Sequence, residues 1–238
     1  MSLDAKIAAA EVLLATAARE FAPAVFASSF GAEDMVLTDL IAKRHAAIRI
    51  FTLDTGRLPE ETHYLIARAS EHYGVAFEVM YPDATVLEEF HRAQGANPFF
   101  RSVALRKRCC ELRKVDPLRR ALADKRAWIT GLRREQAASR HQLAEHEADD
   151  EYGLQKFNPL ADWLVKDVWA YLHRFDVPYN ELHDRGYPSI GCAPCTRAVT
   201  AGEDPRAGRW WWEQETGKEC GLHEGRRSAR AASLNTVE

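Results

Sequence analysis

The chain lacks any apolar run long enough to cross a membrane. In its first twenty residues, MSLDAKIAAAEVLLATAARE, Asp4, Lys6 and Glu11 interrupt the one stretch that resembles a leader, and the apolar spacing there is helical. A soluble protein with no membrane partner is expected. A strong charge excess is also missing: 32 Lys and Arg against 35 Asp and Glu leave a net charge of -3, which gives no global reason to expect nucleic acid as a partner. No internal repeat is visible. Cysteine is scarce and odd in number, at five. Secretion would leave one thiol unmatched, whereas a reducing cytoplasm permits free, metal-bound or catalytic thiols, so the cytoplasm is the expected location.

What is present suits one sizeable α/β core: 238 residues with 46% hydrophobic content. A helical pattern over residues 3–19 leads to a β-like run at 24–28 and a turn, SSFGAED at 28–34, at the head of a second helix. A second run at 48–53 ends in Asp54-Thr-Gly56, and Pro59 with two acids opens the next helix, since proline and negative charge favour a first turn. Residues 75–80 and 127–131 read as further strands and 85–94 as a helix. This alternation predicts a mostly parallel twisted sheet with flanking helices. Ligands of such sheets bind where strand C-termini meet helix N-termini, which groups the loops 28–34, 53–57 and 131–134 around one pocket. Further on, Val165, Val168, Trp169 and Leu172 form a core-facing helical stripe with Asp162 as N-cap. The expected division is a nucleotide-binding domain over 1–215 that includes the cysteine site, a mobile segment at 216–225 carrying Cys220, and a disordered tail at 226–238.

Local charge says more than the total. Nine arginines and three lysines between Arg101 and Arg134 stand against Glu111, Asp116 and Asp124, a patch suited to a small polyanion or, more simply, to a solvated helix face. Within it, KRCCELRK at 107–114 sets Cys109 and Cys110 among cations that favour thiolate. Cys192-Ala-Pro-Cys195 has the spacing by which a turn aims two sulfurs at one metal centre. Four readings compete. The cysteines are small buried apolar residues; they hold zinc, although adjacent ligands are unusual for it; Cys192 and Cys195 form a redox pair, although they lie late and in an irregular segment; or all four hold an iron–sulfur cluster, the reading the pattern favours. Cys220 sits in KECGLH at 218–223, where Lys218 and His223 would lower its pKa and neighbouring glycines allow close approach to a ligand. The choice is between a nucleophile and a bare surface thiol.

Taken together, SSFGAED, TLDTG at 52–56, Cys109-Cys110, Cys192-x-x-Cys195 and KECGLH resemble, in that order, the assimilatory adenylyl-sulfate reductases, over residues 20–225. The resemblance implies the adenine-nucleotide α-hydrolase-like fold with a modified phosphate loop, SSFGAED where relatives of that fold usually have Ser-Gly-Gly-x-Asp-Ser. Glu33 and Asp34 in that turn are expected to disfavour a triphosphate by like-charge repulsion. The doubled cysteine pair implies a [4Fe-4S] cluster on Cys109, Cys110, Cys192 and Cys195, and adenylyl sulfate rather than its 3′-phosphorylated form as substrate.

The same resemblance implies Cys220 as nucleophile, forming an S-sulfonate that reduced thioredoxin, or glutaredoxin, then cleaves. Lys114, Arg206, Arg209 and His223 are assigned to the phosphosulfate, and Ser28, Ser29, Phe30, Gly31, Leu53, Asp54, Gly56, Arg133 and Arg134 to the nucleotide. The tryptophans at 210–212 are expected to pack, or to receive thioredoxin. Plant-type relatives carry a fused thioredoxin-like domain, for which this chain is expected to be too short. Relatives are often homo-oligomers, although no interface signature stands out here. The alternatives are a 3′-phosphoadenylyl-sulfate reductase and a non-catalytic iron–sulfur sensor of adenine nucleotides.

Overall fold

The structure is a computed structural model that describes residues 1–213. The expected segments 216–225 and 226–238, with Cys220 and His223, lie outside the described residues.

Six strands form one sheet in the order β3-β2-β1-β4-β6-β5. β1 (Ala24–Ala27), β2 (Arg49–Leu53), β3 (Glu78–Met80), β4 (Ala127–Ile129) and β6 (Leu154–Phe157) run parallel, and β5 (His146–Asp149) pairs antiparallel with β6. The central strands AVFA and AWI are apolar throughout because helices cover both faces of the sheet. α1 (Leu3–Glu20), α2 (Ala32–Arg44) and α7 (Val165–Arg174) pack one face, where Leu14, Met35, Phe26 and Phe157 are fully buried; each such side chain contributes about 2 kcal/mol. α6 (Asp116–Leu122) packs Leu118 and Leu122 against Val25, Phe51 and Trp128 on the other. α3 (Glu60–Tyr73) starts at Pro59 with Glu60 and Glu61 in its first turn, and stops at Gly74 with φ +63°. α4 (Ala84–Gln94) is capped by Asp83, whose carboxylate accepts from Val86 N–H.

Several expectations change. The third strand is shorter than 75–80, and strands β5 and β6 had no apolar alternation to reveal them. Asp162 is not the N-cap of α7. The helix starts at Val165, with the Asp167 carboxylate accepting the Leu164 N–H at 2.8 Å, while Asp162 pairs with Arg134. On that helix Val168 and Leu172 are core and Trp169 packs against it, but Val165 is 50% exposed and Tyr171 takes the buried place.

Candidate active site

The cleft opens at the C-terminal ends of β1, β2 and β4 and has a volume of about 1000 Å³, ample for a nucleotide. Ser28, Ser29, Gly31, Leu53, Arg133, Lys114, Arg206 and Arg209 line it. Phe30 does not. Its backbone takes φ 57°, and its ring turns into the core, edge-on to Phe77 at 5.2 Å. Arg134 is likewise engaged elsewhere, donating from Nε to Leu143 O at 2.7 Å as well as pairing with Asp162. Arg133 reaches the wall with its guanidinium already committed: Nε and Nη2 meet Glu33 Oε1 at 2.9 and 2.8 Å, and Nη1 meets Glu135 at 2.8 Å. Glu33 also accepts from Gln136 at 3.0 Å.

Asp34, one residue on, is buried and accepts from Ser29 N–H at 2.5 Å and Ser29 Oγ at 2.6 Å. Burial raises its pKa to about 6, against the pull of those hydrogen bonds. A carboxyl raised in the folded state disfavours folding once ionised. The stability is full below the unfolded value near 3.8 and is lost as pH climbs through about 6. Asp34→Asn is therefore expected to stabilise the chain by up to about 3 kcal/mol at pH 8 and not at all near pH 4, as read by urea unfolding at both pH values.

The four cysteines come from two places. α5 (Val103–Cys110) ends on Cys109 and Cys110, and a single turn, Ala193–Cys195, carries the other pair. None is in a disulfide. All four line one small cavity with Arg57, Phe99, Arg106, Arg113 and Lys114. Among the described residues no group of three or more His, Cys, Asp and Glu is placed to hold a single metal ion. Thr55 Oγ1 lies 3.3 Å from Cys192 Sγ, and Ala193 N–H donates to Arg57 O at 2.8 Å, so the turn after β2 clasps the second pair. Asp54 shapes that turn by accepting from Gly56 N–H at 2.8 Å, and Gly56 holds φ +67° with Arg113 Nη1 3.4 Å from where a Cβ would stand.

Burial raises the Cys109 thiol and pushes Cys195 up to about 12, with Cys192 adding to the Cys195 shift and Lys114 and Arg209 opposing it. Such thiols ionise when a metal takes the place of the proton, and the cations around the cavity would offset the resulting charge. Arg113 adds an observation of the same sign. Nη1 donates to Thr55 O at 2.5 Å and Nη2 meets His91 at 2.9 Å, while Nε is buried with no acceptor among the described residues, as befits a neighbour of inorganic sulfide. The donor set thus fits an iron–sulfur cluster.

Immediately after Cys110 the helix widens over Glu111–Val115, where Asp116 N–H reaches back five residues to Glu111 O. Lys114, in this wide turn, lines both the cleft and the cysteine-ringed cavity. On the opposite strand of chain, Arg209 donates to Ser189 Oγ and Ile190 O at 3.3 and 3.2 Å, and a Cβ at Gly191 would stand 2.2 Å from its Nη2, so a side chain there would push the guanidinium from this position. Trp210 is buried under Arg106 and Arg209, at 4.6 and 4.8 Å, and Trp212 packs on Phe100, whereas Trp211 is half exposed. The sequence reading missed Thr55 and Arg57, which touch the cysteine turn, and Gln136 and Arg140 on the cleft wall. Thr55 stood inside a quoted motif, but Arg140 lies in a segment without periodicity.

The model of the phosphoadenosine phosphosulfate reductase domain matches residues 23–198, which include the cleft loops and all four ringed cysteines. An adenosine 5′-phosphosulfate reductase of Allochromatium vinosum is 53% identical over 222 residues, covering 93% of this chain and 87% of that protein. One of Pseudomonas aeruginosa is 44% identical over 225 residues, covering 92% and 84%. Among solved structures, a phosphoadenylyl-sulfate reductase from Candida auris in a phosphate complex matches with TM-score 0.68 and 29% identity, over 80% of this chain and 90% of that one. A Candida glabrata FMN adenylyltransferase in complex with ATP shares the fold alone, at TM-score 0.55 and 15% identity over 85% and 67%. Matched over most of its length by the family model and by relatives of up to 53% identity, the chain belongs to the phosphoadenosine phosphosulfate reductase family.

Proposed function

We propose that this chain reduces adenylyl sulfate to sulfite and AMP in assimilatory sulfate reduction, with reduced thioredoxin or glutaredoxin as the donor, in the cytoplasm. The observation that carries the reading is Lys114, a cation common to a nucleotide-sized cleft and a cavity ringed by four thiols. Relatives that match nearly the whole chain are named for the same reaction. No helix among the described residues is long and apolar enough to cross a membrane.

In the proposed chemistry the Cys220 thiolate attacks the sulfate sulfur. The bond from that sulfur to the phosphate oxygen breaks, AMP leaves with the electron pair, and Cys220 carries an S-sulfonate. A thiolate of the donor then attacks Cys220 Sγ, expelling sulfite with the sulfur–sulfur electron pair. The donor's second thiol resolves the mixed disulfide and returns Cys220 as a thiol. Cys220 and His223 hold these roles by resemblance, since both lie outside the described residues. An anionic nucleophile approaching an anionic phosphosulfate needs fixed cations, and Lys114, Arg206 and Arg209 on the cleft wall supply them. Ser28, Ser29, Gly31 and Leu53 face the nucleotide; Asp54 and Gly56 hold the turn beside it, Phe30 shapes the loop through its positive φ and packs into the core, and Arg133 and Arg134 brace the loops.

Cys109, Cys110, Cys192 and Cys195 would hold a [4Fe-4S] cluster. When bound, it would tie α5 to the 192–195 turn and order the surrounding cations, while every sulfur step above moves an electron pair without a redox partner in the chain.

Anaerobic incubation with adenylyl sulfate and no donor is expected to add one SO₃ group per chain by intact mass, on protein that carries iron and acid-labile sulfide in equal amounts. The family model's name and the Candida auris likeness favour a second reading, in which the 3′-phosphorylated nucleotide is the substrate. kcat/KM is expected to favour adenylyl sulfate by about 100-fold or more. A mass spectrum without adduct, or the reverse preference, would sink the proposal.

A further inference from the structure

The loop that opens α2 stands where strand–loop–helix proteins cradle phosphate oxygens with backbone N–H groups at a helix head. Here three successive amides of that loop already have an acceptor from within the loop and its helix. Ser29 N–H donates to Asp34 Oδ2 at 2.5 Å, Phe30 N–H to Ser28 Oγ at 3.3 Å, and Gly31 N–H to Ser29 Oγ at 3.4 Å. The Ser29 hydroxyl adds a second donor to Asp34 at 2.6 Å. A Cβ at Gly131 would come within 2.1 Å of Asp34 Oδ1, so the loop after β4 leaves room for this carboxylate. The other acid of the turn, Glu33, is neutralised by Arg133 and cannot carry the discrimination that simple repulsion would assign to both.

We propose that Asp34 is a specificity-determining residue: its carboxylate is a built-in anion that fills the loop's phosphate nest, closing the cleft to the terminal phosphates of a nucleoside triphosphate and leaving the phosphosulfate to Lys114, Arg206 and Arg209. A protein of the same fold has been solved with ATP, so the architecture itself does not forbid that ligand. The inference rests on the nucleotide site proposed above.

The test uses the full chain with its cluster, titrated calorimetrically with ATP and with AMP. For Asp34→Ser the ratio of ATP affinity to AMP affinity is expected to rise about tenfold or more over the unaltered chain, with AMP affinity itself kept within roughly threefold. Asp34→Asn keeps the shape and the acceptor oxygen but not the charge, and is expected to give a smaller rise; it decides the matter if the serine variant does not fold. An unchanged ratio in a folded variant that binds AMP normally overturns the inference alone. Failure of the unaltered chain to bind AMP removes the nucleotide site and the inference with it.

Discussion

Cys220→Ser is expected to lower sulfite formation by about 10⁴-fold or more, while AMP affinity and iron content stay as they were. A serine hydroxyl is almost wholly protonated at neutral pH and is a poor nucleophile towards sulfur. A sulfate ester formed on it would also offer the donor thiol no sulfur–sulfur bond to cleave. The substitution leaves every described cleft-lining group and all four cavity cysteines in place, so AMP affinity and metal content are expected to hold. Sulfite production assayed with excess donor, calorimetry with AMP and iron analysis on the same preparation separate the three. Turnover persisting in the variant would remove Cys220 as nucleophile.

Glu213→Ala is expected to lower the unfolding free energy by about 3–5 kcal/mol and the Tm by on the order of 10 °C. Arg106 and Glu213 are each 3% exposed and share two hydrogen bonds, Nε to Oε1 at 2.9 Å and Nη2 to Oε2 at 3.0 Å. Burial of both charges makes their pairing a weak source of net stability, yet removing Glu213 strips the buried Arg106 guanidinium of its two hydrogen bonds to a carboxylate while it stays desolvated. Trp210, stacked under Arg106, would lose its support as well. The double change Arg106→Met with Glu213→Leu is expected to recover most of the loss, because it removes both charges together. Thermal and denaturant unfolding of the three variants checks this. A deficit below about 1 kcal/mol in the single variant would show that solvent reaches the pair.

The central strands were legible because short apolar runs between helical patterns have few other interpretations, and the cysteine site was legible because spacing survives any error in strand or helix bounds. What escaped notice escaped for physical reasons. β5 reads HEAD and lies at the edge of the sheet, half exposed, so no alternation marks it. α5 and the wide turn after it bury Arg106, Cys110, Leu112, Arg113 and Val115, a face built of sulfur and guanidinium as much as of aliphatic carbon, which a hydrophobic pattern cannot report. Asp162 looked like a cap because an acid precedes the apolar stripe, but Asp167, inside the helix, does the capping instead. Phe30 looked like a ligand contact because its neighbours line the cleft, yet a positive φ points its ring the other way.

The extra residue that widens the helix after Cys110 stays within the rod instead of looping out of it. The backbones of Cys110 and Lys114 are consequently joined by unbroken helix, with no slack that a hinge would supply. Two chemistries are thereby geared together. Whatever repositions the cysteine-bearing end of the rod also shifts the end that carries Lys114 to the cleft, so neither is readily retuned, by natural drift or by engineering, without readjusting its twin.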